Sequence, residues 1–90
     1  FTTKPFKFDG HELELNYSTS AVGSLRVEIQ RSDGSKIDGF GLDECPEKFG
    51  DEIGGIVSWN DGSNLKALSG SEIRLRFELK DADLYAFKFN

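Results

Sequence analysis

The sequence places one aromatic ring directly before a polar loop, an arrangement that suits sugar recognition. Trp59 is followed by Asn60 and Asp61, and then by Asn64. An aromatic face stacks on the C–H face of a pyranose ring, and amide and carboxylate groups beside it bond the hydroxyls. Trp59 also shares the period-2 parity of Val57, which is typical of a core residue. We therefore take these four residues as candidate sugar ligands, with a buried Trp59 as the alternative.

Three arginines form a second candidate binding surface. Arg26, Arg74 and Arg76 fall on the polar faces of two predicted strands, where their guanidinium groups could hold the carboxylate or sulfate groups of an anionic glycan. Acidic residues alternate with them on the same faces, namely Glu28, Glu72 and Glu78. The alternative is that these acids occupy the arginines as cross-strand ion pairs, which would be a structural role.

Four candidate metal ligands lie in one segment that lacks a strand pattern. Between Leu42 and Glu52 the chain carries Asp43, Glu44 and Asp51 in addition to Glu52 itself. Carboxylates are the hard oxygen ligands that Ca²⁺ prefers, although this spacing differs from the calcium loop that is diagnostic from sequence. A structural Ca²⁺ bound by the four acids is one hypothesis, and a solvated acidic loop is the other. No other cofactor is predicted.

Catalysis by this domain is not expected. His11 is the only imidazole and Cys45 the only thiol, and neither lies in a motif that pairs a nucleophile with a base. A small domain also gives its carboxylates little burial with which to raise a pKa into the range of general acid catalysis. We therefore interpret Cys45 as a small buried residue and the domain as non-catalytic.

The elements that must position these residues are strands, because apolar residues recur at every second position. The alternation is clearest in three segments, residues 13–17, 25–29 and 73–79. In each of them one face is apolar and the other is charged or polar. Asp-Gly pairs between the segments indicate tight turns, since glycine adopts positive φ without strain.

Shorter segments complete the predicted fold. They are residues 5–8, 36–41, 53–59 and 84–89. Strict alternation in the last segment turns Tyr85, Phe87 and Phe89 inward. Residues 65–68 could form a single helical turn. The sequence thus predicts an all-β fold, an antiparallel β-sandwich of jelly-roll or immunoglobulin-like topology with about seven to eight short strands.

Length and charge limit the classes of function. We expect residues 1–90 to form one domain, because a chain of this length supplies a single modest core. The formal net charge is −5 with acids and bases interleaved, which argues against nucleic acid and anionic membranes as partners. The absence of any Met is what we expect of a piece excised from a larger multidomain chain.

Three stretches of the sequence together resemble a known type of domain. They are FTTKPFKFDGHELELNYSTSAVGSLRVEIQ, GFGLDECPEKFGDEIGGIVSW and LSGSEIRLRFELKDADLYAFKF. With these stretches the chain resembles the β-sandwich domain at the C-terminus of bacterial proteins related to the five-bladed-propeller glycoside hydrolases of families 32 and 43. The resemblance covers nearly the entire chain.

The resemblance implies a non-catalytic accessory domain of a secreted or cell-surface bacterial glycoside hydrolase that degrades polysaccharide. Such a domain would act either as a carbohydrate-binding module or as a structural unit that stabilises the parent catalytic propeller. We expect a monomer whose partners are a polysaccharide or oligosaccharide and the parent catalytic domain. A protein-binding or adhesion module is a further alternative, which an unpaired edge strand or an exposed apolar patch would favour.

Overall fold

The computed structural model describes residues 1–60 and 62–90. Four antiparallel strands form one sheet, and they are β1 (Phe6–Lys7), β2 (Leu13–Arg31), β3 (Asp51–Ile56) and β4 (Glu72–Phe89). Their order across the sheet is β1-β4-β2-β3. The all-β class predicted from the sequence is confirmed, whereas the number of strands is four instead of the predicted seven to eight.

The strand count differs because β2 and β4 each join two of the predicted segments, and because the predicted segment 36–41 forms only an isolated bridge at Lys36 instead of a strand. β2 is 19 residues long and β4 is 18, and they pair with each other along most of their length. Between the predicted segments 73–79 and 84–89, pairing with β2 is interrupted only at Asp81. Hydrophobic alternation reports which side chains are buried, and it does not show whether two amphipathic segments share one continuous backbone ladder.

A bend divides β2 and β4 in the middle. Thr19 pairs with Ala82 and the next pair is Ser24 with Lys80, so four residues of β2 lie opposite the single residue Asp81. Asp81 has a φ of 44°, in the left-handed region that aspartate tolerates better than most residues. The extra residues on one strand make both strands change direction here.

Glycine is required on the other side of this bend. A Cβ added at Gly23 would lie 2.3 Å from the carbonyl oxygen of Asp81 and 2.6 Å from that of Lys80. The bend folds the sheet over on itself, because a straight 18-residue strand would be about 60 Å long and the longest dimension of the Cα trace is 35 Å. The two halves of β2 and β4 therefore pack on one shared core.

Apolar side chains from both halves fill the space between them. The buried apolar residues of the two long strands are Leu13, Leu15, Tyr17, Leu25, Val27, Ile29, Ile73, Leu75 and Phe77. All of them belong to the inward sets that alternation predicted. Cys45 is also buried in this core, as predicted.

Two single turns of 3₁₀ helix occur outside the strands. They span Leu42–Glu44 and Lys66–Leu68, and the second confirms the predicted helical turn near residues 65–68. None of the helices among the described residues is long and apolar enough to cross a membrane.

Candidate functional site

Trp59 lies in the core, which is the alternative that its parity suggested. Its side chain is 3% exposed, and its indole N–H donates to the carbonyl oxygen of Val27 at 3.0 Å. The ring of Phe40 packs edge-on against it, with centroids 5.4 Å apart. In this conformation the indole face is covered by protein, so Trp59 cannot serve as a stacking platform for a sugar.

The polar loop after Trp59 is exposed where it is described. Asn60 and Asn64 face solvent, while Asp61 lies outside the described residues. The Oδ1 atom of Asn64 accepts the backbone N–H of Lys66 at 2.9 Å, and this hydrogen bond orders the start of the following 3₁₀ turn. Asn64 thus has a local structural role, and the buried ring does not join these amides in one pocket.

Arg26 is occupied by a carboxylate of the facing strand. Its Nε donates to Glu78 Oε1 at 2.9 Å, and its Nη2 contacts the same oxygen. These hydrogen bonds hold the pKa of Glu78 below its usual value and raise that of Arg26. The two residues are directly opposite each other in the β2–β4 pairing, so this is the cross-strand pair that the sequence offered as the alternative.

Arg74 and Arg76 also have partners inside the molecule. Arg74 Nε donates to the carbonyl oxygen of Ser32 at 2.8 Å, and Arg76 Nη1 lies 3.8 Å from Oε1 of Glu28. Glu28 is only 2% exposed, and it also accepts the backbone N–H of Leu42 at 3.3 Å. The cross-strand ion pairs offered as the alternative are therefore present for Arg26 and Arg76, while Arg74 is held by a backbone carbonyl instead of an acid.

The four acidic residues proposed as Ca²⁺ ligands are not gathered into a site. Asp43 and Glu44 belong to the first 3₁₀ turn, whereas Asp51 and Glu52 begin β3. Within residues 1–60 and 62–90, no group of three or more His, Cys, Asp or Glu side chains could hold a metal ion. The solvated acidic loop is the reading that agrees with this arrangement.

A feature that the sequence did not reveal lies on the outer face of the sheet. Asn16 of β2 pairs with Ala86 and Tyr17 pairs with Leu84, so Tyr85 is one extra residue in β4. This β-bulge shifts the alternation, and Tyr85 is 69% exposed. The prediction that Tyr85 points inward is therefore wrong, because strict period-2 counting fails where a strand contains an extra residue.

A second bulge lies across β2 from the first. Leu15 pairs with Gly55 and Tyr17 with Glu52, so two residues of β3, Ile53 and Gly54, face Asn16 alone. The backbone N–H of Gly54, which has a φ of 79°, donates to Asn16 Oδ1 at 2.9 Å. Ile53 is 92% exposed, although its parity with Val57 predicted a buried side chain.

Between the two bulges runs an open groove of about 320 Å³, which we call the Asn16 groove. It is lined by Glu14, Asn16, Ile53, Ala86, Phe87 and Lys88. Tyr85 adjoins it, since its hydroxyl lies 3.4 Å from that of Ser18, the next outward residue of β2 after Asn16 at a spacing of about 7 Å. An exposed aromatic ring thus lies beside a row of polar groups.

The polar groups of the Asn16 groove differ in what they can bond. Glu14 lies 3.5 Å from the ammonium of Lys88 and accepts Asn90 Nδ2 at 3.2 Å, which balances its charge and leaves acceptor capacity on the carboxylate. Asn16 uses its oxygen for Gly54, so its Nδ2 hydrogens remain available to the groove. Together these groups offer donors and acceptors a few ångströms apart, next to apolar surface.

One signal in the sequence could have indicated part of this groove. Gly54 and Gly55 stand in the middle of a predicted strand, and glycine inside a strand commonly marks a bulge. No comparable signal marks the bulge at Tyr85, whose neighbours are ordinary strand residues.

The remaining nucleophilic candidate is unreactive in this structure. Burial raises the pKa of the Cys45 thiol above its ordinary value, so the reactive thiolate is disfavoured at neutral pH. His11 lies 3.8 Å from Glu12 at an exposed position.

No protein-family model matches the chain, and no curated protein or solved structure matches it.

Proposed function

We propose that the chain is a non-catalytic carbohydrate-binding module, an accessory domain of a secreted or cell-surface glycoside hydrolase that degrades polysaccharide. The observation that carries the proposal is the Asn16 groove, where an exposed tyrosine adjoins amide, carboxylate and ammonium groups on an open sheet face. Sugar sites combine these features, because pyranose rings present apolar C–H faces and a rim of hydroxyls. The resemblance to accessory domains of propeller glycoside hydrolases supports the same function.

A β-sandwich is the finer description of fold that we propose. The bend lays two halves of one sheet over a shared core, as the two sheets of a sandwich share theirs. Rings from the two halves of β4 approach each other across this core, since the centroids of Phe77 and Phe87 lie 5.8 Å apart. Phe6 of β1 contacts both Phe87 and Phe89 at centroid distances of 6.1 and 6.0 Å.

In the proposed complex each groove residue has a defined part. The ring of Tyr85 stacks on a sugar face, the Nδ2 group of Asn16 donates to a hydroxyl, and the carboxylate of Glu14 accepts from another. The bonded Lys88 ammonium balances the Glu14 charge, so we propose a neutral glycan as the ligand. Because the groove is open along the sheet face, it suits an internal segment of a polysaccharide better than a chain end.

Binding to a panel of neutral and anionic polysaccharides tests the proposal, by affinity gel electrophoresis followed by calorimetry. Tyr85→Ala should weaken binding roughly fivefold, the loss of about 1 kcal/mol of stacking. Phe49→Ala is the matched control, because Phe49 is an exposed aromatic residue that does not line the groove. Absence of binding to every glycan, or equal losses in both variants, would refute the proposal.

A purely structural domain that docks on its parent propeller is the second candidate. It is favoured by exposed apolar side chains away from the groove, which are Phe1, Val22 and Phe49. This alternative expects no glycan binding by the isolated domain and a lower unfolding temperature of the parent catalytic domain when the accessory domain is deleted. The two measurements together separate the candidates.

A further inference from the structure

The open strand edges of this molecule are unequally protected against pairing. The edge at β1 is two residues long and carries Pro5 between Lys4 and Lys7. The edge at β3 has Asp51 at its start and is distorted by its bulge. Prolines, charges and bulges are the means by which proteins keep sheet edges from associating.

The C-terminal half of β4 is a longer open edge, protected only by the Tyr85 bulge and by the charges of Asp83 and Lys88. Residues 82–89, which we call the β4 edge, pair on one side with β2 and on the other side with no described residue. The edge is eight residues long, contains no proline, and carries Leu84, Tyr85, Phe87 and Phe89. Phe87 is 37% exposed because nothing in the described chain covers it on this side. An edge of this length and composition is suited to receive another strand.

The backbone groups that point outward from the β4 edge follow from the hydrogen bonds of its neighbours. Asn90 donates its N–H to Glu12 and accepts from the N–H of His11, so its backbone groups face β2. Backbone direction alternates along a strand. The N–H and C=O groups of Phe87 and Phe89 therefore point away from β2, toward solvent.

The same reasoning applies on the other side of the Tyr85 bulge. The N–H of Thr19 donates to the carbonyl of Gly50, so the neighbouring Ser18 directs its backbone groups toward β4. Ser18 pairs with Asp83, whose groups accordingly face β2. Residues 82 and 84 then point their N–H and C=O groups outward.

We propose that the chain forms a symmetric dimer in which the β4 edge pairs antiparallel with the β4 edge of a second copy. The four residues with outward backbone groups fit each other in one antiparallel register. Ala82 then faces Phe89 of the second copy, and Leu84 faces Phe87 of the second copy. Each such pair exchanges the N–H···O=C bonds that the free edge leaves to water.

Charge supports this register and the choice of a second copy as the partner. In the same register the carboxylate of Asp83 lies directly opposite Lys88 of the second copy, whose exposed ammonium also lies 3.5 Å from Glu14 of its own chain. Twofold symmetry makes this contact twice. Asp83 is exposed and forms no ion pair with any described residue, so its charge is free for the contact. Opposite charges at facing positions stabilise a strand pair.

The pairing also covers apolar surface. Leu84 and Phe87 lie opposite the core residues Tyr17 and Leu15, so their side chains share the inner face of the sheet. In the proposed register the two side chains meet across the twofold axis on that face. The half-exposed edge of the Phe87 ring then packs against Leu84 of the second copy, which adds hydrophobic burial to the backbone bonds.

One consequence of the dimer rests on the proposed function. The twofold axis runs perpendicular to the paired sheets, so both Asn16 grooves open on the same side. Three strand spacings separate the two copies of β2, about 14 Å. Two grooves at this distance can bind one polysaccharide chain or two neighbouring chains, which raises the apparent affinity without new contacts.

Sedimentation equilibrium in the absence of sugar tests the dimer independently of glycan binding. We expect the wild-type chain to dimerise at concentrations of up to about 1 mM. Asp83→Lys and Lys88→Asp should each weaken the dimer about tenfold, since each creates two facing like-charge pairs. The double exchange Asp83→Lys with Lys88→Asp should restore dimerisation, and Asp38→Lys is the control for net charge at an exposed site off the edge.

Amide hydrogen exchange locates the interface. The N–H groups of Leu84 and Phe87 should become more protected as protein concentration rises, whereas that of Lys88, which faces β2, should not change. A chain that stays monomeric at all concentrations would overturn the proposal, because the β4 edge would then not pair with a second copy. A dimer that Asp83→Lys does not weaken, or that the double exchange does not restore, would place the contact elsewhere and equally refute it.

Discussion

The ring centroids of Phe77 and Phe87 lie 5.8 Å apart, although ten residues separate them along β4. In a straight strand the same separation would be about 33 Å. The contact exists because the strand bends at Asp81, where the backbone adopts positive φ. One strand thus supplies side chains to both sides of the core, and the first prediction concerns these two rings.

Phe77→Ala should lower the free energy of unfolding by about 3–5 kcal/mol, because its ring is 2% exposed and leaves a cavity when removed. Phe87→Ala should cost less, about 1–2 kcal/mol, since part of its ring already contacts water. Equilibrium denaturation measures both. Phe49→Ala, at an exposed position, is the control and should stay within about 0.5 kcal/mol of wild type. Equal losses of unfolding free energy in Phe77→Ala and Phe87→Ala would contradict the bent arrangement, in which Phe77 is buried and Phe87 lies at the edge of the core.

Gly23→Ala should destabilise the domain by about 2–3 kcal/mol, because the new methyl group would overlap two carbonyl oxygens of the facing strand. Thermal or chemical unfolding gives the value. The adjacent Val22→Ala serves as control, since Val22 is exposed and its truncation should be nearly neutral. A neutral Gly23→Ala would mean that the two strands do not approach each other closely at the bend.

Trp59 should emit at short wavelength and be quenched weakly by acrylamide, since its indole is buried and bonded to the Val27 carbonyl. It is the only tryptophan, so the signal is unambiguous. Unfolding in denaturant should shift the emission to longer wavelength and make quenching efficient. Strong quenching of the folded protein, or a change of emission when sugar alone is added, would show that Trp59 is accessible and would again make it a candidate sugar ligand.

The Arg26–Glu78 pair should make stability depend on acid pH. Hydrogen bonds from Arg26 lower the pKa of Glu78 in the folded state, so the pair stabilises the fold above the unfolded pKa of about 4.3. This contribution is lost as pH falls through the lower folded pKa. Glu78→Gln should therefore cost about 0.5–1 kcal/mol at pH 7 and nothing near pH 2. A cost independent of pH would show that the charge of Glu78 is not what matters.

Alternation in the sequence was enough to predict the class of fold and the core of the long strands. Leu13, Leu15, Leu25 and Val27 are buried as predicted, because a half-buried strand forces period 2 on its side chains. The continuity of β2 and β4 was not predictable in this way. Whether two segments join depends on backbone pairing across the bend, which leaves no trace in the apolar pattern.

The candidate site was the least predictable part. Period-2 alternation places the side chains of Tyr85 and Ile53 inward. Each side chain is exposed because its strand contains one extra residue. Trp59 shows the opposite case, since an aromatic residue beside a polar loop suggested a ligand platform and its parity suggested the core. The structure agrees with parity there, since Val57 and Trp59 are both buried although β3 ends at Ile56.

The bend in β2 and β4 also constrains how the chain can fold. The first part of β2 pairs with the second part of β4, and the second part of β2 pairs with the first part of β4, so each half of the bent sheet contains its own backbone partners. Neither half covers its apolar face until the other is formed. The N-terminal residue is held by Phe77 and the C-terminal residue by His11 and Glu12, so pairings distant in sequence close both ends of the chain. Such topology makes folding slow for the chain's length, on the scale of milliseconds to seconds. We expect no stable folding intermediate in which only one half of the sheet is formed.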